Sequence, residues 1–223
     1  MPGPSPLRIV LFDWDGTLLD SYHADAHAYL RMFEAMGIRW GMAELERHYS
    51  PDWYRVYRAA RLPCSRWKQA DRLWRSFYRQ QNPALLPGAR AVLRELSQRY
   101  TFDLVTSGNR ARVTRQLRQF RLTSLFAVCV CSEDTSRHKP HPAPLFEAVR
   151  RLRLGLAECI FVGDAPEDVE MARRAAMRVV AVLGPLPTHD RLHAARPDAL
   201  LASITGLPRL LRLNVESGKK RMP

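Results

Sequence analysis

The sequence predicts an α/β chain: a doubly wound parallel sheet with helices on both faces and a helical insert after the first strand. Three observations carry this prediction. Short, continuous apolar runs recur along the chain, helical patterns separate them, and one long stretch near the N-terminus holds helical signals only.

Leu7–Phe12 is the first run, bounded by Pro6 and Asp13, and reads as a buried strand. Tyr100–Val105, Leu125–Val130, Cys159–Val162 and Arg178–Leu183 read the same way. Between them, helices are expected from Gly88 to about Arg99, over Asn109–Phe120, over Pro144–Leu152 and over Pro166–Ala176. Each has a proline or a turn residue near its start. Residues 21–86 break the alternation, with no strand signal. Twelve of the chain's 20 aromatic residues fall there, enough bulk for a small core of its own. Tyr29, Met32, Phe33 and Met36 recur at helical spacing within it. The expected organisation is a core of residues 1–20 and 87–215, a helical lobe of 21–86 and a disordered tail of 216–223.

Composition excludes several classes. At 223 residues, with 46% hydrophobic and 26% charged, the chain is neither disordered nor fibrous. Its longest apolar runs fall far short of the ~18 residues that span a bilayer, and its N-terminus lacks a signal-peptide pattern. The cysteines Cys64, Cys129, Cys131 and Cys159 show no CxxC pairing, so they read as reduced thiols in cytoplasm. The net charge of +13 would attract polyanions. The arginines are nevertheless scattered, and the stripe Arg112, Arg115, Arg118 and Arg121 is expected to be a solvated helix face, so nucleic acid is not the expected partner.

In an open parallel sheet, function gathers at the carboxyl ends of the strands. Asp13 and Asp15, with Gly16 for a sharp turn, follow the first strand. Thr106, Ser107 and Gly108 follow the second, Lys139 lies past the third, and Asp164 with Asp168 four residues on follows the fourth. Asp13 with Asp164 makes a hard oxygen site suited to Mg²⁺. Lys139 adds a fixed positive charge in a stretch that otherwise uses arginine. Thr106 adds a hydroxyl, and backbone N–H groups beside it are candidates to hold an anion. Such a set is what phosphoryl transfer requires. Asp20 and Ser21 read as a helix cap, and His138 and His141 as loop residues.

DWDGTLLDS, the VTSGN strand end, HKPHPAPL and FVGDAPEDVEMARRA resemble, in order, the four motifs of the haloacid dehalogenase-like hydrolase superfamily. The resemblance runs from about Arg8 to Leu183 and is nearest the phosphoglycolate phosphatase-like group. The insert stands where that superfamily places its helical cap. It implies a Rossmann-like core and a role for each position. Asp13 resembles the nucleophile that forms an aspartyl-phosphate, and Asp15 the general acid–base whose backbone carbonyl reaches the metal. Thr106 and Lys139 resemble the phosphoryl-binding hydroxyl and the lysine that steadies nucleophile and phosphate. Asp164 resembles a Mg²⁺ ligand, and Asp168 an outer or alternate one. An Asp at position 15 is the phosphatase and phosphomutase choice, because a leaving alkoxide needs a proton and the later water needs a base. Neighbouring Asp13 is expected to raise the pKa of Asp15.

The expected function is Mg²⁺-dependent hydrolysis of a small phosphorylated metabolite (phosphoglycolate-like, a sugar phosphate or a nucleotide) by a monomer or homodimer. A phosphomutase and a nucleic-acid-binding protein that has kept the fold are the alternatives. Residues between His23 and His27, and Arg55, Arg58, Arg61 and Lys68, are candidate contacts to the leaving group, with Tyr22, Tyr54 and Tyr57 as readily lobe core.

Overall fold

The computed structural model describes residues 7–50 and 52–212. In chain order, β1 (Ile9–Phe12) and the two-residue β2 (Leu19–Asp20) lead into four helices. These are α1 (Tyr22–Ala35), α2 (Met42–His48), α3 (Trp53–Ala59) and α4 (Trp67–Tyr78). After β3 (Ala84–Leu85) come α5 (Ala89–Leu96), β4 (Thr101–Val105), α6 (Arg110–Gln119), β5 (Phe126–Val130) and α7 (Ala143–Leu152). The chain continues with β6 (Cys159–Gly163), α8 (Pro166–Arg174), β7 (Arg178–Val182), α9 (His189–Ala194) and β8 (Ala199–Leu201). No helix among the described residues is long and apolar enough to cross a membrane.

Six strands form one sheet in the order β5-β4-β1-β6-β7-β8, all pairs parallel. β1 sits near the middle, with Ile9–Phe12 opposite Thr101–Leu104 on one side and Cys159–Val162 on the other. Its alternation assigns the faces. Val10 and Phe12 pack with Val92, Leu93 and Leu96 of α5 and Val113 and Leu117 of α6. Ile9 and Leu11 pack with Leu145 and Ala148 of α7 and Val169 and Ala172 of α8. Because both faces are covered, the strand reads as an unbroken apolar run. Each large side chain buried there contributes about 1.5–3 kcal/mol.

The four helices α1–α4 form a lobe with its own apolar cluster. Tyr29, Met32 and Phe33 of α1, and Met36 just past its end, pack with Leu45, Val56 and Tyr57, as their spacing predicts. The short α3 is held at its start by Asp52, whose side chain accepts a hydrogen bond from the Tyr54 N–H. Ala165 and Leu186 of the sheet body join this cluster, so the lobe is seated on the body. Across that seam the buried carboxylate of Glu167 accepts a hydrogen bond from Ser50 Oγ at 2.9 Å and stands 3.5 Å from Arg55 Nη1. Arg191 Nη2 donates to the Tyr49 carbonyl at 2.9 Å.

Four elements, β2, β3, β8 and α9, differ from the sequence reading. The stretch 21–86 does hold a strand: β3 pairs antiparallel with β2, Leu85 opposite Leu19 and Ala84 opposite Asp20, and so ties both ends of the lobe together. β8 and α9 carry no expected counterpart, being only three and six residues long. Asp20 lies in β2, and Ser21, though it precedes α1, makes no side-chain cap. The tail expected at 216–223 lies outside the described residues.

Candidate active site

The strand ends converge as the parallel topology requires. Asp13, at the end of β1, is 7% exposed, and Lys139, Asp164 and Asp168 around it are buried as deeply. Lys139 Nζ stands 2.8 Å from Asp13 Oδ1 and 2.8 Å from Asp168 Oδ1, so one ammonium bridges two carboxylates. Asp168 is the third residue of α8, and its Oδ2 accepts from the N–H groups of Asp164 and Ala165 at 3.2 Å each. Both of its oxygens are therefore engaged. Asp164 Oδ1 accepts from Thr17 Oγ1 at 2.8 Å, while Oδ2 is buried without a partner.

Asp13, Asp164 and Asp168 each offer an oxygen, and these lie within 4.8 Å of one another. An orphaned buried oxygen in such a cluster fits a hard divalent cation. The backbone leaves room for little else. Gly16 has φ +78°, and a Cβ there would lie 2.0 Å from Asp164 Oδ2. A Cβ at Gly184 would lie 2.3 Å from the Gly16 carbonyl oxygen. Burial pushes the Asp13 carboxyl up to about 7, with Lys139 opposing and Asp168 and Asp15 adding. Burial, then Asp13 and Asp168, raise Asp164 well above its ordinary value. Burial works against the charge of Lys139, but Asp13 and Asp168 outweigh it and raise its pKa.

Asp15 behaves differently from the expectation that Asp13 would raise it. Its carboxylate turns to Arg112, which donates from Nη1 to Oδ1 at 2.7 Å and from Nη2 to Oδ2 at 2.6 Å. Burial pushes the Asp15 carboxyl up, yet this bidentate pair outweighs it and holds the group below its ordinary value. Arg112 was expected on a solvated face. Its side chain is only 10% exposed, and its guanidinium lies over the Tyr78 ring, 5.0 Å from the centroid. Arg115, Arg118 and Arg121 are exposed as expected. The helix that carries Arg112 starts at the Asn109 side chain, which accepts from the Arg112 N–H.

Thr106, Ser107 and Gly108 line the same cleft. Thr106 Oγ1 accepts from the Gly108 N–H at 3.0 Å, so that amide is engaged while the hydroxyl proton of Thr106 stays free to donate. A Cβ at Gly108 would meet Arg112 Nη2 at 2.4 Å. His138 is a loop residue whose ring lies 5.8 Å from that of Trp53 on the lobe.

The far wall of the cleft comes from the lobe. It includes Asp25, Tyr29, Tyr57, Asp71, Trp74 and Tyr78, and none of His23, His27, Arg55, Arg58, Arg61 or Lys68. Of the expected contacts only the stretch between His23 and His27 reaches the cleft, through Asp25. Asp71 gave no signal, since an aspartate on a helix is ordinarily solvated. Here Asp25 Oδ1 accepts from Trp74 Nε1 at 3.0 Å and Oδ2 from the Tyr49 hydroxyl at 2.5 Å. Asp71 Oδ1 accepts from the Tyr57 hydroxyl at 3.0 Å.

This architecture has known counterparts. The chain is 27% identical over 214 residues to the pyrophosphatase PpaX of Bacillus mycoides, covering 93% of this chain and 99% of that one. It is 28% identical over 205 residues to the validoxylamine A 7'-phosphate phosphatase of Streptomyces hygroscopicus subsp. limoneus, covering 89% and 94%. Its fold matches a haloacid dehalogenase-like family hydrolase from Streptococcus pneumoniae with a TM-score of 0.80 at 20% identity, over 92% of this chain and 98% of that one. The family model for haloacid dehalogenase-like hydrolases matches residues 10–182, and the chain belongs to that family.

Proposed function

We propose that the chain is a Mg²⁺-dependent phosphatase acting on a small phosphate ester through an aspartyl-phosphate on Asp13. The observation that carries this reading is the Asp13 carboxylate at the end of the central strand. One of its oxygens is held by Lys139 at 2.8 Å, and the oxygens of Asp164 and Asp168 lie beside it. The names of relatives support the phosphatase class, since two of them hydrolyse phosphorus–oxygen bonds by name. All four cysteines are free, which suits a cytoplasmic protein.

Each residue then has a task. An Asp13 oxygen attacks phosphorus, and the bond to the leaving oxygen breaks. Lys139 fixes the attacking carboxylate, and the Thr106 hydroxyl donates to a phosphoryl oxygen. Asp15, in its protonated form, gives its proton to the leaving alkoxide. It then takes one from the water that cleaves the acyl-phosphate and releases inorganic phosphate. In the described state Asp15 is a carboxylate clamped by Arg112, so the acid form requires Arg112 to withdraw. Asp13 and Asp164 would hold the divalent cation, with Asp168 orienting Lys139 and the first turn of α8. When bound, the cation offsets the charge of carboxylates and phosphoryl oxygens.

The test is phosphate release from p-nitrophenyl phosphate and a panel of small esters, with Mg²⁺ and with chelator, beside Asp13→Asn. Mg²⁺-dependent release lost in the variant supports the reading. Equal release with chelator, or release retained by Asp13→Asn, overturns it. Isomer formation without net phosphate release would assign a phosphomutase instead.

A further inference from the structure

We infer that the lobe end of the cleft binds a cationic leaving group, so that the preferred substrate is a small phosphate ester whose organic part carries a protonated or quaternary amine. This rests on the phosphatase reading above and adds what is released with the phosphate.

The cleft is continuous from Asp13 and Thr106 to the lobe and encloses about 140 Å³. A void of ~150 Å³ holds a molecule the size of benzene, so the organic part is small. Its lobe walls are aromatic, from Tyr29, Tyr49, Trp53, Tyr57, Trp74 and Tyr78. The rings form one assembly. Trp74 stacks on Tyr78 with centroids 4.8 Å apart, and Tyr29 lies 6.2 Å from Trp74 and 6.4 Å from Tyr57. Aromatic faces carry negative potential and attract cations once water is excluded.

Among these rings stand two carboxylates that no cation reaches within 4 Å, Arg112 and Arg75 acting on Asp25 and Asp71 only from farther off. At the sheet end Asp13 has Lys139 and Asp15 has Arg112. That leaves Asp25 and Asp71 facing Arg75, which lines the cleft but reaches neither within ion-pair distance. No other cation among the described residues pairs with them either. Hydroxyl and indole donors hold the two carboxylates in place without neutralising them. Each oxygen accepts at most one such bond, so lone pairs remain for a ligand N–H. Burial pushes the Asp25 carboxyl up to about 7, the hydrogen bonds from Tyr49 and Trp74 and the more distant charge of Arg112 opposing it only in part. A chain of net charge +13 thus keeps an aromatic, acid-rich end to its cleft. An anionic leaving group would meet like charge there, and a neutral one would leave both carboxylates desolvated and unpaired. An ammonium group satisfies both.

Three esters of one size make the test: O-phosphoethanolamine, 2-hydroxyethyl phosphate and 2-phosphoglycolate. Phosphocholine against 3,3-dimethylbutyl phosphate, its neutral isostere, is a second pair. The readout is the ratio of kcat/KM for amine over neutral ester. A ratio of about tenfold or more in at least one pair is expected, one unfavourable contact removed being ~1.4 kcal/mol, with phosphoglycolate the poorest of the three. Asp71→Asn should bring that ratio toward one. Glu34→Gln, an exposed carboxylate of the same lobe outside the cleft, should preserve it. A purely structural role for Asp71 would change stability and leave the ratio intact, which overturns the inference.

Hydrolysis of p-nitrophenyl phosphate with both ratios at or below one overturns the cation site and leaves the phosphatase standing. If no ester is hydrolysed, the phosphatase reading fails, and the site is judged on choline alone by quenching of Trp53 and Trp74 fluorescence. Saturable quenching lost in Asp71→Asn supports it, and none overturns it.

Discussion

At the sheet end of the cleft each carboxylate has a cation beside it or an oxygen cluster built for one. At the lobe end, Asp25 and Asp71 rest on hydroxyl and indole donors among aromatic rings. The sheet end is made of strand termini whose positions the parallel ladder fixes, so its charges can be matched at close range. The lobe end is made of helix faces, where rings supply area and the charge is left for the ligand to match. On the reading proposed above, chemistry common to every substrate belongs to the first, and selection among substrates to the second.

The largest effect expected is at the sheet end. Asp13→Asn should lower phosphate release at least about a thousandfold, as loss of a nucleophile does, with the melting temperature retained. Activity above a tenth of the parent would remove Asp13 from the reaction. Next comes Lys139→Met, which leaves buried carboxylates without their ammonium. Breaking such a pair costs about 3–5 kcal/mol, measured by urea unfolding with chelator present. Millimolar Mg²⁺ should recover part of that loss by binding the folded state. No recovery would show that the carboxylates do not hold a cation.

The lobe end is sharpened by pH. The Asp25 carboxyl rises from its ordinary 3.8 to about 7, through burial first and then the nearby charge of Asp15, with Tyr49, Arg112 and Trp74 opposing. Below pH 4 folded and unfolded chains both hold the proton. Between 4 and 7 only the folded chain does, so stability falls as pH rises, by about 1.4 kcal/mol per unit at most. Asp25→Asn should therefore match the parent near pH 4 and exceed its unfolding free energy at pH 8 by a few kcal/mol. Equal pH profiles would mean that Asp25 is ionised in the folded chain. The smallest effect is expected at Asn109→Ala, which uncaps the helix carrying Arg112 and should cost about 1 kcal/mol of stability by chemical denaturation.

Much of the sheet was legible because a strand covered on both faces is largely apolar, and β1, β4, β5, β6 and β7 read that way, with Thr101, the buried Asp103 and Arg178 as interruptions. β2, β3 and β8 were not, since pairs and triplets of residues carry no period. The carboxylates were legible because a strand end is a predictable place, and Lys139 because it is a lone lysine in a stretch that otherwise uses arginine. Arg112 was misread because arginines three apart look alike on any helix, and only the position of Asp15 across the fold separates it from Arg115. The lobe's aromatics were rightly placed in a core, as for Phe33. Yet Tyr29, Tyr57 and Trp74 serve both the core and the cleft, a double duty that spacing does not encode.

The central position of β1 bears on the order in which the protein assembles. Its four residues precede both of their partners in the chain, Thr101–Leu104 and Cys159–Val162. The lobe helices contact one another within residues 22–78 and need no later sequence for most of their packing. Folding rewards near contacts before distant ones. We expect α1–α4 to gain amide protection while β1 is still unpaired, with the sheet closing when β6 arrives. Pulse-labelled hydrogen exchange during refolding would show that sequence, and simultaneous protection of β1 and α1 would contradict it.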